Sequence, residues 1–257
     1  MDVLPLFKSH YSLGRSILTL EPLDSSMDDG PDSIVDICEK NNLESMILVD
    51  DAMTGYLQAY KNAKNCKLKL IFGLRISICS DLTEKNESEI SKTHKVIVFV
   101  KNKRGYNKLI KLSTEAAIEG FYYTPRTDYN SLKKIWDDKD LSLCIPFYDS
   151  FIYKNLLTTS ACVPEFDFTN PTFIIEENDL PFDEILKEKT LEYSSKNSHN
   201  HILGQSIFYK NKKDFKAYLT FRCINNRSSL DKPELSHMCS DEFCFESWKE
   251  KNEKNRS

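Results

Sequence analysis

The stretch KVIVFVKNKRGYNKLIKLSTEAAIEGFYYTPRTDYNSL, Lys95–Leu132, governs the reading of the whole chain. It opens on an apolar run, Val96–Val100, of the composition that forms strands. A Lys-Asn turn follows, and Leu109, Ile110, Leu112 and Ala116 then recur at helical spacing along GYNKLIKLSTEAA. Beyond the helix, GFYYTPRTDY interleaves aromatics with Pro125 and Arg126, which predicts a stiff turn packed around buried rings.

The same strand-then-helix unit recurs on both sides. Upstream, Val3–Phe7 reads as a strand, and Ser33 caps a helix over IVDICEKNNL with Ile34, Ile37, Cys38 and Leu43 on one side. SMILVD is a short buried strand, and MTGYLQAYKNAKN a helix with Tyr56, Leu57 and Tyr60 facing inward. LKLIFGLRISIC is the next strand. Downstream, LSLCIP, PTFIIE and ILGQSIFY are strands, each followed by a helical stretch: YDSFIYKNLL, FDEILKEKTLEYSS and KKDFKAYLTFRCI. This rhythm predicts a mostly parallel α/β architecture, an open wound sheet or a closed barrel. No shift in composition divides the chain. We therefore expect one domain over residues 1–257, with an acidic loop at about 21–33, a charged loop at about 80–94 and a frayed polar tail at about 248–257.

Composition narrows the possibilities. The chain has 257 residues, enough for a substantial core, and a formal charge of −4, which gives no net drive toward nucleic acid or an anionic membrane. No run approaches the ~20 apolar residues of a membrane span and no signal peptide opens the chain, so a cytoplasmic location is expected. The 8 cysteines form no Cys-x-x-Cys pair and read as reduced, mostly buried thiols; Cys239 and Cys244 with His237 have poor zinc spacing. With only 7 glycines, the chain has neither a Walker loop nor a dinucleotide fingerprint. His199 and His201 read as exposed imidazoles in a strand lead-in.

Two stretches carry a family resemblance. Lys95–Leu132 resembles the bacterial DNA polymerase III alpha subunit family, in which a strand, a Lys-Asn turn, a Gly-Tyr-x-x-Leu helix and a Gly-Phe-Tyr-Tyr-x-Pro-Arg-x-Asp loop occur in this order. SDEFCFES, Ser240–Ser247, is similar to the segment that closes that family's PHP (polymerase and histidinol phosphatase) domain. Weaker echoes are HYSL at His10–Leu13, ILVDDAMTGYLQAYKNAK from Ile47, and KLIFGLRISI from Lys69. The resemblance implies a distorted (β/α) barrel of seven strands, with metal ions held at strand ends in active members.

Carried across position by position, the family's metal ligands fall on Leu6, Lys8, Asp50, Asp51, Arg75, Lys95, Cys144, Ser206 and Phe208. Only Asp50 and Cys144 keep the residue the family has at that position; the histidine expected after Asp50 is Asp51. His94 is one residue out of register, on the other face of its strand. Lys8, Arg75 and Lys95 place fixed positive charge where cations would bind, a repulsion worth about 4 kcal/mol at ~4 Å and intermediate dielectric. The resemblance therefore implies no metal and no other cofactor, with Asp50 and Asp51 neutralised by Lys8, Arg75 or Lys95, and Cys144 a structural thiol.

The function expected is that of a catalytically inactive PHP-like domain. It would act as a structural or interaction subunit in DNA replication, with an alpha-type polymerase core or a proofreading exonuclease as protein partner. Tyr122, Tyr123 and Arg126 are the candidates for a weaker nucleic-acid or partner contact. Since the chain ends shortly after SDEFCFES, it is expected to stand alone and to lack polymerase carboxylates; its Lys- and Asn-rich composition suggests a phage genome. The alternatives are a metal-dependent phosphoesterase or 3′–5′ exonuclease with a rewired site, and a decoy for a host polymerase.

Overall fold

A computed structural model describes residues 2–22, 30–158, 160–231 and 237–254. In chain order its elements are β1 (Leu4–Phe7), α1 (Ile34–Lys40), β2 (Ser45–Asp50), α2 (Tyr56–Asn65), β3 (Lys69–Ile78), α3 (Glu87–Lys92), β4 (His94–Val100), α4 (Lys103–Ile118), β5 (Arg126–Thr127), α5 (Tyr129–Ile135), β6 (Leu141–Ile145), α6 (Phe151–Leu157), β7 (Thr172–Ile175), α7 (Asp183–Lys196), β8 (Asn200–Ile207), α8 (Phe215–Asn226) and α9 (Phe245–Lys254).

The strands pair in the order β2-β1-β8-β7-β6-β4-β3, and β3 pairs back onto β2, so seven strands close into a barrel. The two-residue β5 extends the end of β3, with Ser77 opposite Arg126 and Ile78 opposite Thr127. β4 runs antiparallel to both of its neighbours, and every other pairing is parallel. This reversal is the distortion, and it matters for function: the amino end of β4 lies at the same mouth as the carboxyl ends of the other strands.

Alternation along each strand separates two apolar layers. Leu6, Ile47, Val49, Ile97, Cys144 and Ile174 fill the barrel interior, while Phe7, Met46, Leu48, Leu74, Val96, Val98, Phe173 and Ile207 face the surrounding helices. The central motif owes its glycines to close approach. A side chain on Gly105 would put its Cβ 2.2 Å from the Asp140 carbonyl oxygen, and one on Gly120 would meet the Arg126 carbonyl at 2.0 Å.

The helices depart from the sequence expectations at several points. α2 lies on the sheet through Ala59 and Ala63, small residues one turn apart, which leaves Leu57 and Tyr60 exposed and only Tyr56 packed, on Phe72 and Tyr106. On α4 the buried stripe is Leu109, Leu112 and Ala116, and Ile110 is exposed. The turn after α4 does not bury its rings: Phe121 and Tyr123 are exposed, and Tyr123 has a left-handed backbone with φ of 59°. The charged stretch at 80–94 contains α3, capped by the Asn86 side chain, and the start of β4. The tail at 248–257 is helical to Lys254: Trp248 is buried and donates from Nε1 to the Val3 carbonyl at 2.8 Å, clamping α9 onto β1. Much of the acidic loop at 21–33, and residues 255–257, lie outside the described residues.

Candidate functional site

The barrel mouth is built by side chains one step beyond the interior layer. Lys8 continues the inward face of Leu4 and Leu6, Asp51 that of Ile47 and Val49, and Glu176 that of Ile174. Arg75 follows Ile71 and Gly73 along β3, and Lys95 precedes Ile97 on the reversed β4. Of these, Lys8, Arg75 and Glu176 line a cavity of about 90 Å³ whose floor is Leu6, Val49, Ile97 and Ile174. Arg15 and Arg222 complete its charged wall.

Ion pairing organises the mouth. Arg75 donates from Nη1 to Asp51 Oδ1 at 3.1 Å and from Nη2 to Asp149 Oδ2 at 2.5 Å. Lys8 Nζ lies 3.3 Å from Asp51 Oδ1, and Arg15 Nη1 lies 3.5 Å from Asp149 Oδ2. Asp149 has a left-handed backbone, φ 61°, and its carbonyl accepts from the Lys95 N–H at 2.7 Å. Burial raises the pKa of Asp51, but Lys8, Arg75, Lys95 and Arg15 together outweigh it and hold the carboxyl well below the usual range. Asp149 is likewise held low against burial, by Arg75 and Arg15. Burial opposes the charge on Arg75, yet Asp51 and Asp149 keep its pKa raised. Burial pulls Lys8 downward and brings Lys95 to about 8, with Asp51 resisting in both cases.

Asp50 departs from the sequence reading. It was expected to be neutralised by a cation, but it points to the outer side of β2 and is wholly buried there. It accepts from Ser9 N at 2.8 Å, Ser9 Oγ at 2.6 Å and Ser12 Oγ at 2.8 Å. Burial raises its pKa, opposed by Lys8 and by these hydrogen bonds. Its parity with Met46 and Leu48 turns it away from the cavity, so it organises the chain after β1. Cys144 does face the interior, where burial pushes its thiol up to about 12, far from a reactive thiolate. His94 faces outward, bonds Tyr129 Oη through Nε2 at 2.9 Å, and is driven by burial down to about 4.

Ser206 donates its N–H and Oγ–H to Glu176, at 2.7 and 2.8 Å, and Phe208 forms part of the cavity wall. His199 and His201 lie at the opposite end of the barrel; His199 is half-buried against Phe173 and Tyr193, and His201 is exposed. Arg126 is buried and does not offer its guanidinium to a ligand: it donates from Nε to the Gly120 carbonyl at 3.1 Å and from Nη2 to the Glu84 carbonyl at 3.3 Å. Of that predicted trio, Tyr123 is exposed and Tyr122 half-buried.

Sequence reasoning missed Arg15, Asp149, Glu176 and Arg222. Glu176 was accessible, since PTFIIE places it two residues after Ile174 on the same face. Asp149 was not, because it enters through a left-handed turn beyond β6, and Arg222 arrives from α8.

A metal cluster does not fit this donor set. The inward positions carry one lysine from β1, one arginine from β3 and one lysine from β4, and the Asp51 and Asp149 carboxylates are committed to them. Among the described residues no group of three or more His, Cys, Asp or Glu side chains converges as metal ligands do.

Comparison with known proteins places this barrel in a class. The PHP domain profile matches residues 23–147. DNA polymerase III subunit alpha of Borreliella burgdorferi is 24% identical over 256 residues, covering 88% of this chain and 21% of that protein. The Aquifex aeolicus subunit alpha is 26% identical over 203 residues, covering 73% of this chain and 17% of that protein. The chain thus spans about a fifth of the length of these relatives. A crystal structure described as that of a metal-dependent phosphoesterase from Bifidobacterium adolescentis superposes with a TM-score of 0.44 at 9% identity, over 80% of this chain and 88% of that one. Residues 23–147 thus resemble a PHP domain, and the chain folds as a distorted seven-stranded (β/α) barrel. It is related to the DNA polymerase III alpha subunits. No helix among the described residues is long and apolar enough to cross a membrane.

Proposed function

We propose that this chain is a PHP domain without hydrolytic chemistry, serving as a structural and interaction part of a replicative polymerase of the alpha type. The observation that carries the reading is the Arg75 fork across Asp51 and Asp149, with Lys8 on the same carboxylate. Metal-dependent phosphoester cleavage needs carboxylates and imidazoles free to hold a cation that activates water. Here the inward Asp51 and Asp149 carboxylates are spent on ammonium and guanidinium groups, and Glu176 accepts from Ser206 and Asn178. A barrel stabilised in this way keeps its shape without metal, which is what a docking platform requires.

The surface next to the central motif suits a protein contact. Ile118, Phe121 and Tyr123 are 71%, 50% and 74% exposed and lie within six residues of one another at the end of α4. Large exposed apolar side chains grouped in this way are uncommon on a surface without a partner. The test is size-exclusion chromatography of the purified chain with a purified alpha-type polymerase core lacking its own PHP domain, and separately with a proofreading exonuclease. Co-elution with either, weakened at least tenfold in affinity by Phe121→Ser with Tyr123→Ala, is expected. Absence of a complex with both proteins would overturn the interaction role.

A further inference from the structure

We propose that the groove between α2 and the first residues of β3 binds single-stranded nucleic acid, with bases stacked on Tyr60 and phosphates held by Lys64, Lys67 and Lys69. This inference goes beyond the polymerase-partner reading and does not rest on it. The groove lies at the end of the barrel where β3 begins, opposite the mouth.

The sequence concentrates positive charge here. No acidic residue stands between Asp51 and Asp81, whereas Lys61, Lys64, Lys67 and Lys69 follow one another closely, in a chain whose net charge is −4. The fold sets three of them on the groove. Lys64 is in the last turn of α2, Lys67 in a left-handed turn with φ of 57°, and Lys69 is the first residue of β3. The turn is closed by the Lys67 N–H on the Lys64 carbonyl at 3.2 Å and the Leu68 N–H on the Ala63 carbonyl at 2.8 Å, so the side chains start from fixed backbone. All three lysines are exposed. Among the described residues no acid lines the groove, and none of the three makes an ion pair. The carboxyl end of α2 accounts for a cation at Lys64 but not for those at Lys67 and Lys69. At the mouth, by contrast, Lys8, Arg15 and Arg75 each face a carboxylate.

Beside the lysines lies a run of stacked rings. Tyr106 of α4 stacks on Tyr56 with centroids 4.3 Å apart and planes 24° from parallel, and Tyr56 stacks on Tyr60 at 6.2 Å and 15°. Tyr60 ends the run and is 48% exposed, so core packing does not account for it. Aromatic faces next to a cationic track are what an unpaired strand needs: every base has a face to stack, and the backbone follows the charge. The groove, about 410 Å³ with Ala63, Leu68, Leu70, Phe72 and Val100 in its lining, falls in the ~300–1,000 Å³ range of ligand clefts. Bases already paired and stacked in a duplex have no face to give Tyr60. A second copy of this chain would bring the same lysines against the groove, and the carboxylates of an acidic peptide would leave the ring without a planar partner.

The experiment is fluorescence anisotropy of a labelled twelve-nucleotide oligothymidylate titrated with the whole chain in EDTA, with an oligouridylate, a duplex and polyglutamate in parallel. Saturable binding to a single strand is expected. Neutralising three phosphates of a single strand gives a salt slope of about −2, so raising sodium chloride from about 50 to about 200 mM should weaken binding about twentyfold. Tyr60→Ala should weaken it at least about fivefold, the loss of one stacked base. Replacing Lys64, Lys67 and Lys69 together by Gln should weaken it at least about tenfold and bring the salt slope near zero. Lys189→Gln, on the surface of α7, should leave it unchanged. The substituted groove residues are all exposed, and the lysine variant carries the test should Tyr60→Ala fail to fold. Equal binding of thymidylate and uridylate would mark the groove as blind to the 2′-hydroxyl, and unequal binding as selective for one sugar; either supports the proposal. Absence of saturable binding to both single strands, equal affinity for the duplex or polyglutamate, or undiminished affinity in either folded variant would overturn it.

Discussion

Arg75→Met is expected to lower the free energy of unfolding by about 3–5 kcal/mol, the cost of removing one partner from a buried ion network. Arg75 is 8% exposed through its side chain and joins Asp51, after β2, to Asp149, beyond β6. Among the described residues, its loss would leave Lys8 as the one cation paired with Asp51 and Arg15 as the one paired with Asp149, two carboxylates turned toward an apolar barrel. Denaturant titration at pH 7 measures this directly. Lys189→Ala, which breaks an exposed pair with Glu192, should cost under about 1 kcal/mol. The acid limb should also move. Asp51 and Asp149 titrate lower folded than unfolded, so their stabilisation is present above the ordinary carboxylate pKa and is lost as pH falls through the depressed folded values. Without Arg75 those values rise, and acid unfolding of the variant should begin at higher pH. An Arg75→Met protein as stable as the native one would show that the fork contributes nothing.

Asp50→Ala should cost about 3 kcal/mol, because three buried donors, Ser9 N, Ser9 Oγ and Ser12 Oγ, would lose their acceptor together. Asp50→Asn keeps the volume and one acceptor oxygen and should cost about 1 kcal/mol. The physical content lies in the comparison with metal. If Asp50 is a clasp for the chain after β1, the penalty is the same in EDTA and in manganese. A penalty that appears only with manganese would make Asp50 a ligand.

Much of this architecture was legible in the sequence, and the parts that were not share a cause. Each strand of the barrel appears as a short apolar run, with a helix after it for all but β3, where the charged stretch that holds α3 reads as a loop, and the register of Lys8, Arg75 and Lys95 against Leu6, Gly73 and Ile97 follows from a period of two. The placement of His94 on the outer face follows from the same parity. Parity also assigns Asp50 to the outer face, yet its residue type, matching a family ligand, argued the other way. Local composition cannot show which side of a helix meets the sheet when both carry apolar residues. On α2 the contact was made by Ala59 and Ala63, leaving Leu57 and Tyr60 to solvent, because small residues allow closer approach. The tail seemed too polar to pack, but two aromatics, Phe245 and Trp248, were enough to hold α9 against Phe7 and Val3. Asp149 and Arg222 reach the mouth through a turn and a distant helix, so nothing adjacent to them in sequence announces the site.

The central claim is that ammonium and guanidinium groups occupy the role of metal ions in this barrel. Its most direct test is the metal content of the chain purified without chelators, measured by inductively coupled plasma mass spectrometry, alongside hydrolysis of a phosphodiester by the same sample. Manganese, zinc and iron well below one equivalent, with no EDTA-sensitive hydrolysis, are the results expected. Stoichiometric metal, together with hydrolysis abolished by EDTA and by Asp51→Ala, would contradict the account.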